Sequence, residues 1–173
     1  MKIIPVNEIP KDVQDVPLDD PMSVYKTFLR MEHVCSILNG VGLSAVQVGI
    51  PWKMFITPRP DEGESIQQKF DWYVNCDYEP VDWNFNVAKN RSLEGCLSIK
   101  KENGELRRFF VERYPKVKVK GKKLIADASK PIFKDVDFVP ESEIAAVIFQ
   151  HEIDHQKGIL ISDIGKEIDI FPI

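Results

Sequence analysis

The chain has 173 residues, enough for one domain and too few for two of ordinary size, so residues 1–173 are expected to form a single domain. It is 43% hydrophobic and 29% charged, a balance that supports a core without disulfide staples. With 27 acidic against 23 basic residues the net charge is −4, which argues against nucleic-acid phosphates as the main partner, although a basic patch can still be local. The apolar stretches, such as Ile144–Phe149, are short and bounded by charges, far from the roughly 20 residues of a membrane span. Met1–Glu8 has neither a long apolar region nor an Arg/Ser-rich amphipathic pattern, so no targeting segment is read and a cytoplasmic location is expected. Three cysteines, Cys35, Cys76 and Cys96, are an odd count that favours free thiols.

Asp20-Pro21-Met22 opens the first helix: Asp as N-cap, Pro at the first helical position, and apolar Val24, Phe28, Met31, Cys35 and Leu38 three or four residues apart. Gly40 is read as its stop. Pro58–Ser65 reads as a long surface loop. Lys53–Thr57, Trp72–Val74, Phe109–Val111 and Val117–Val119 read as strands, and Lys120-Gly121-Lys122 as a turn. A second helix opens near Pro140-Glu141-Ser142, carries Ile144, Val147, Ile148, His151 and His155 on one stripe, and stops at Gly158. One helix, then strands, then one helix predicts an α+β fold.

His151-Glu152-Ile153-Asp154-His155 is an H-E-x-x-H sequence within that second helix. Four residues are slightly more than one turn, so both imidazoles project from one face toward a single ion, with Glu152 within reach of a water on it. Because the histidines continue the stripe of Ile144 and Ile148, the ion is expected on the core side. A third ligand is needed. No histidine follows His155, and His33 sits opposite the apolar stripe of the first helix, where it is expected to be solvated. That leaves a thiolate or a carboxylate. Cys96 is the best thiol, since Gly95 lets the backbone approach an ion closely, whereas Cys35 and Cys76 read as small buried hydrophobes. Among carboxylates, Asp163 and Glu167 stay open, and with them an H-E-x-x-H peptidase. A non-catalytic metal-binding domain would have no need of Glu152.

Three motifs occur in order: Gly40-Val41-Gly42-Leu43-Ser44-Ala45-Val46-Gln47-Val48-Gly49, Glu94-Gly95-Cys96-Leu97-Ser98, and Gln150-His151-Glu152-Ile153-Asp154-His155. From about Gly40 to Asp163 the sequence resembles the peptide deformylase family, hydrolases that remove the formyl group from the N-terminal formyl-methionine of nascent polypeptides. The resemblance implies antiparallel β-sheets around a central helix carrying the H-E-x-x-H motif. It implies one divalent ion held by Cys96, His151 and His155, with Fe(II) usual in the family and zinc, nickel or cobalt possible. Glu152 would take a proton from the attacking water and return it to the departing amine. The side-chain amide of Gln47 and the backbone N–H of Leu97 would stabilise charge on the formyl oxygen. Gly40, Val41 and Gly42 would form one wall of the substrate site, and Val41, Ile144, Val147 and Ile148 the pocket for the methionine side chain.

The expected partners are N-formylmethionyl peptides, with no membrane or direct nucleic-acid binding and a monomeric state. Some family members dock on the ribosome through a basic C-terminal helix. From Asp163 to Ile173 the only basic residue is Lys166, so ribosome contact is expected to be transient at most. Departures from the family pattern are Ser44, where Ala is usual, Lys100, where Pro is usual, and Gln156, where Leu is usual. The segment between Cys96 and Val111-Glu112-Arg113, which resembles the family's V-x-R, is a few residues longer than usual, which leaves altered acyl specificity open. Asp154 reads as structural, and Glu94 as a group that orients the loop carrying Cys96.

Overall fold

A computed structural model of the chain describes residues 1–59, 70–81, 88–127 and 130–169. Most of the expected Pro58–Ser65 loop and the end of the chain, 170–173, lie outside the described residues. The fold is α+β with two antiparallel sheets and few helices, and no helix among the described residues is long and apolar enough to cross a membrane.

Helix α1 (Pro21–Ile37) begins as its sequence dictates, with the Asp20 carboxylate accepting the Ser23 N–H at 3.0 Å. Val24, Phe28, Met31, Val34 and Cys35 form its buried face. Its end differs from the expectation. Asn39, at φ 51°, takes the left-handed position assigned to Gly40, and the Asn39 and Gly40 N–H groups donate back to Ser36 O and Cys35 O. Gly40 is needed for space instead: a Cβ there would lie 2.9 Å from both Cys35 Sγ and Leu97 Cδ1.

Strands β1 (Leu43–Ser44), β2 (Met54–Pro58) and β3 (Phe70–Pro80) come next, with a 3-10 turn, Ala45–Val48, between the first two. β4 (Asn90–Lys100) and β5 (Leu106–Arg113) form a long hairpin, followed by β6 (Val117–Asp127) and β7 (Lys130–Phe138). Helix α2 (Glu143–Gln156), a one-turn helix α3 (Ile161–Ile164) and β8 (Lys166–Ile168) complete the order. The first sheet runs β1-β2-β3-β6-β7 and the second β4-β5-β8. The residues that lengthen the segment after Cys96 extend the β4–β5 hairpin, where Lys100 pairs with Leu106 beyond a register shift.

Lys120-Gly121-Lys122 is not a turn. It runs inside β6, opposite a bulge in β3 between Val74 and Asp77. A Cβ on Gly121 would lie 2.6 Å from the Cys76 Cα, so the bulged strand can pass only over a glycine.

The core has two main parts. Phe28 stacks on Trp72 at 5.5 Å between α1 and the first sheet, and the Trp72 indole donates to Glu32 at 2.8 Å. Under α2, Ala146, Phe149 and Ile153 pack on Phe55, Tyr73 and Val119, with Phe149 edge-on to Tyr73 at 5.0 Å. This corrects the sequence reading of α2. The stripe of Ile144, Val147, Ile148 and His151 faces outward into a cleft, with Ile144 75% exposed, while the core face lies on the other side of the helix.

Gly121→Ala is expected to destabilise the fold by about 1–3 kcal/mol through overpacking against backbone that cannot rotate away. Urea unfolding measures this; an unchanged midpoint would show that the bulge relaxes.

Candidate active site

Helix α2 is set in place at both ends. The Ser142 hydroxyl accepts the Ala145 N–H at 3.1 Å, and beyond the last turn Gly158, at φ 73°, lets Ile159 N–H donate back to Asp154 O at 2.9 Å. Near its C-terminal end His151 and His155 stand edge to face, ring centroids 4.9 Å apart, over β4. Cys96 Sγ is 3.3 Å from His155 Nε2, and one ligand atom from each of Cys96, His151 and His155 falls within 4.8 Å of the others. A tetrahedral ion with one sulfur and two nitrogen ligands has S···N edges of about 3.6 Å, so the donor set fits a divalent cation in spacing and in chemistry.

Around these three a buried polar network fixes the geometry. Glu94 Oε2 is 2.8 Å from His151 Nδ1, and both Glu94 oxygens accept from Arg113, at 2.8 Å from Nε and 3.1 Å from Nη2. Arg113 Nη1 donates to Asp154, whose other oxygen accepts from the Tyr78 hydroxyl at 3.0 Å. Cys96 lies within strand β4, so Glu94 orients His151 and not a loop. Glu94 thus serves as a carboxylate behind a histidine, the arrangement that fixes ring tautomer and direction. The sequence reading named Arg113 only within the V-x-R segment, without a role, and left out Tyr78. Arg113 carried a signal, a charged residue on the buried side of an alternating strand; Tyr78 carried none.

Glu152 is 4% exposed, and its Oε2 has no partner among the described residues. Burial, with the Glu94 charge adding to it, pushes its carboxyl up to about 7 against the opposing pull of His151 and Arg113. Burial alone would lower His151, but hydrogen bonds from its ring to Cys96 and Glu94 raise it to about 10. His155 goes the other way, held well below its usual value by burial and by the neighbouring His151 and Arg113 charges. Burial would also raise Glu94, yet His151 and Arg113 hold it below the usual carboxylate range. In the metal-free protein a proton on His151 therefore sits among anionic groups, where a divalent cation would replace it.

Gln47 comes from the 3-10 turn. Its Oε1 accepts the Ser44 N–H at 2.8 Å, which leaves Nε2 aimed at Cys96 Sγ and Ser98 Oγ, each 3.3 Å away. Gly42 is pressed against the acid, for a Cβ there would lie 2.5 Å from Glu152 Oε1. A cleft of about 650 Å³ brings together Gly40, Val41, Gly42, Gln47, Cys96, Leu97, Ile144, Val147, Ile148, His151 and Glu152. Val41 and Ile144 are 63% and 75% exposed, so they form its rim and no part of the core.

Gly95 has a different reason from the one expected. The space beside it is filled by the Arg108 guanidinium, whose Nη1 would lie 2.7 Å from a Cβ there. The carboxylate alternatives lie elsewhere: Glu167 pairs with Arg107 on the surface, and Asp163 accepts the Leu160 N–H. Cys35 and Cys76 are buried, as read, with their thiols pushed up to about 12 by burial, and His33 is exposed.

A family model described as polypeptide deformylase matches residues 4–169. A peptide deformylase of Helicobacter pylori strain J99 is 34% identical over 124 residues, covering 72% of this chain and 62% of that protein. The chain thus spans under two thirds of the length of the Helicobacter relatives it matches. A solved class I type b peptide deformylase from Acinetobacter baumannii superposes with a TM-score of 0.70 at 26% identity, covering 93% of this chain and 95% of that one. The same Acinetobacter enzyme with Met-Ala-Ser bound gives a TM-score of 0.67 at 26% identity, over 91% of each chain. With almost the whole sequence matched, and its three motifs converging on one cleft, the chain belongs to the polypeptide deformylase family.

Proposed function

We propose that this protein is a metal-dependent peptide deformylase that hydrolyses the formyl group from N-formylmethionyl peptides of nascent chains. The observation that carries the reading is the Cys96, His151 and His155 donor set with an unpartnered, buried Glu152 beside it. Residues 1–173 act as one catalytic domain, built around α2 and working in the cytoplasm as a monomer. The ion is Fe(II), with zinc, nickel or cobalt able to replace it; when bound, it supplies Lewis acidity that acidifies water and polarises a carbonyl.

The chain's own residues do the rest. Val41, Val147 and Ile148, with the exposed Ile144, take the methionine side chain, and the backbone of Gly40 and Gly42 forms the wall beside it. Glu152 receives the proton of the attacking water and passes it to the amine nitrogen as the C–N bond breaks, giving formate and a free N-terminus. A carboxyl near neutrality suits both halves of that transfer. Gln47 Nε2, its direction fixed by the Oε1 bond to Ser44, donates to the formyl oxygen as charge grows there, together with the Leu97 N–H. Glu94 holds His151, and Arg113 holds Glu94.

The direct test is formate release from a formyl-Met tripeptide by metal-loaded protein, with Glu152→Gln beside it and metal content measured on both. The parent is expected to turn over, and the variant to keep its metal while losing at least about 10²-fold in kcat. No formate from any metal-loaded form would overturn the reading. The base must be ionised to act, so kcat/KM is expected to rise with pH, with a limb at or just below 7 because a neighbouring cation favours the carboxylate. A profile flat from pH 5.5 to 8 would remove Glu152 from the role.

Cys96→Ser is expected to drop bound metal to under about a tenth of the parent level, because a neutral hydroxyl is a poor replacement for a thiolate. Elemental analysis decides it, and full retention would reopen a carboxylate third ligand. Arg113→Met would strand the Glu94 and Asp154 carboxylates in the interior. Its expected cost is about 3–5 kcal/mol in denaturant unfolding of the metal-free protein, and a loss under 1 kcal/mol would mean that the carboxylates find other partners.

A further inference from the structure

Arg91 and Arg108 line the cleft beside Glu94, Glu143 and Glu152, in a chain with a net charge of −4. Among the described residues neither guanidinium joins an ion pair or donates a hydrogen bond to a side chain, whereas the nearby Arg107 and Arg113 are both paired with carboxylates.

The two arginines are held in place. Register pairs Gly95 with Arg108, Leu93 with Phe110 and Arg91 with Glu112, so Arg91, Leu93, Arg108, Phe110 and Glu112 share one face of the β4–β5 hairpin, with Glu112 opposite Arg91. Arg91 lies over the Phe110 ring at 5.4 Å, and Arg108 fills the space left by Gly95, next to Cys96. Of the acidic groups nearby, Glu143 accepts from Asn90 at 2.6 Å, Glu94 is bound by Arg113 and His151, and Glu112 is exposed and outside ion-pair distance of Arg91.

We propose that Arg91 and Arg108 form a carboxylate-binding subsite that selects peptides with an acidic residue at the second or third position. This rests on the deformylase reading, which sets the formyl-methionine at the metal donors. Two further residues of extended chain span about 7 Å from there, along β4 and within an arginine's reach. Exposed Leu93, between the two cations, packs the aliphatic stem of the acidic side chain. The guanidinium forks then bind its carboxylate.

The test compares kcat/KM for formyl-Met-Glu-Ser and formyl-Met-Lys-Ser, and for formyl-Met-Ala-Glu and formyl-Met-Ala-Lys, with metal-loaded enzyme. The acidic member is expected to lead by roughly tenfold at low salt in at least one pair, and the lead shrinks in 0.5 M NaCl. In the double variant Arg91→Gln/Arg108→Gln the ratio falls to about one, and in Arg108→Glu it inverts. Ratios within about twofold of one for both pairs in the parent would overturn the subsite while leaving the deformylase reading standing. If no peptide releases formate, that reading falls and calorimetric affinities of Met-Glu-Ser and Met-Lys-Ser decide the subsite. The same tenfold preference supports it, and equal affinities overturn it.

Discussion

The site depends on one buried guanidinium. Arg113 is 3% exposed and bridges Glu94 on β4 to Asp154 on α2, so it ties the strand that bears the thiol to the helix that bears the imidazoles. Burying three charges is expensive, and an apolar cluster of the same volume would stabilise the fold at least as well. What the ionic version supplies is direction. A guanidinium fork donates to its carboxylates only in fixed planes, and one of those carboxylates sets the His151 ring.

Against this satisfied network stand groups left without partners. Glu152 Oε2 and His155 Nδ1 are buried with no hydrogen bond among the described residues, and Glu152 is forced toward neutrality by its surroundings. A carboxyl raised from 4.5 to about 7 loses folding stability as pH climbs from the lower value to the higher, because over that range the unfolded chain ionises more readily than the folded one. A group held at that cost fits the proton-transfer role proposed for Glu152. The fold offsets it with the aromatic packing of Phe149 on Phe55 and Tyr73, on the opposite side of the same helix.

Much of this was legible in the sequence because it is local. Asp20 and Ser142 announce their helices through a hydrogen bond three residues long, Gly158 ends one through its φ, and histidines four apart share a helix face by geometry alone. What was not legible depends on partners distant in the chain. Periodicity marked Ile144, Val147 and Ile148 as one stripe, but a stripe facing a cleft and a stripe facing the core have the same period; only the ring cluster beneath α2 decides between them. Gly121 looked like a turn between lysines because nothing nearby reveals the bulge at Cys76 that it must pass. Asn39 takes the positive φ, and Gly40 is needed for another reason: a Cβ there would meet Cys35 and Leu97, the latter more than fifty residues away.

Glycines around the cleft extend the same point. Gly42 yields its Cβ volume to the Glu152 carboxyl, and Gly95 yields its own to the Arg108 guanidinium. Each missing side chain is filled by a functional group from a different element, so these glycines work as moulds for chemistry encoded elsewhere. A methyl at Gly42 would move the acid relative to Cys96, His151 and His155 without touching them, and a methyl at Gly95 would lift Arg108 from the strand that leads to Cys96. The shape of the site therefore rests on where side chains are absent as much as on where they stand, and this is why three separated motifs must converge before any one of them has a defined chemistry.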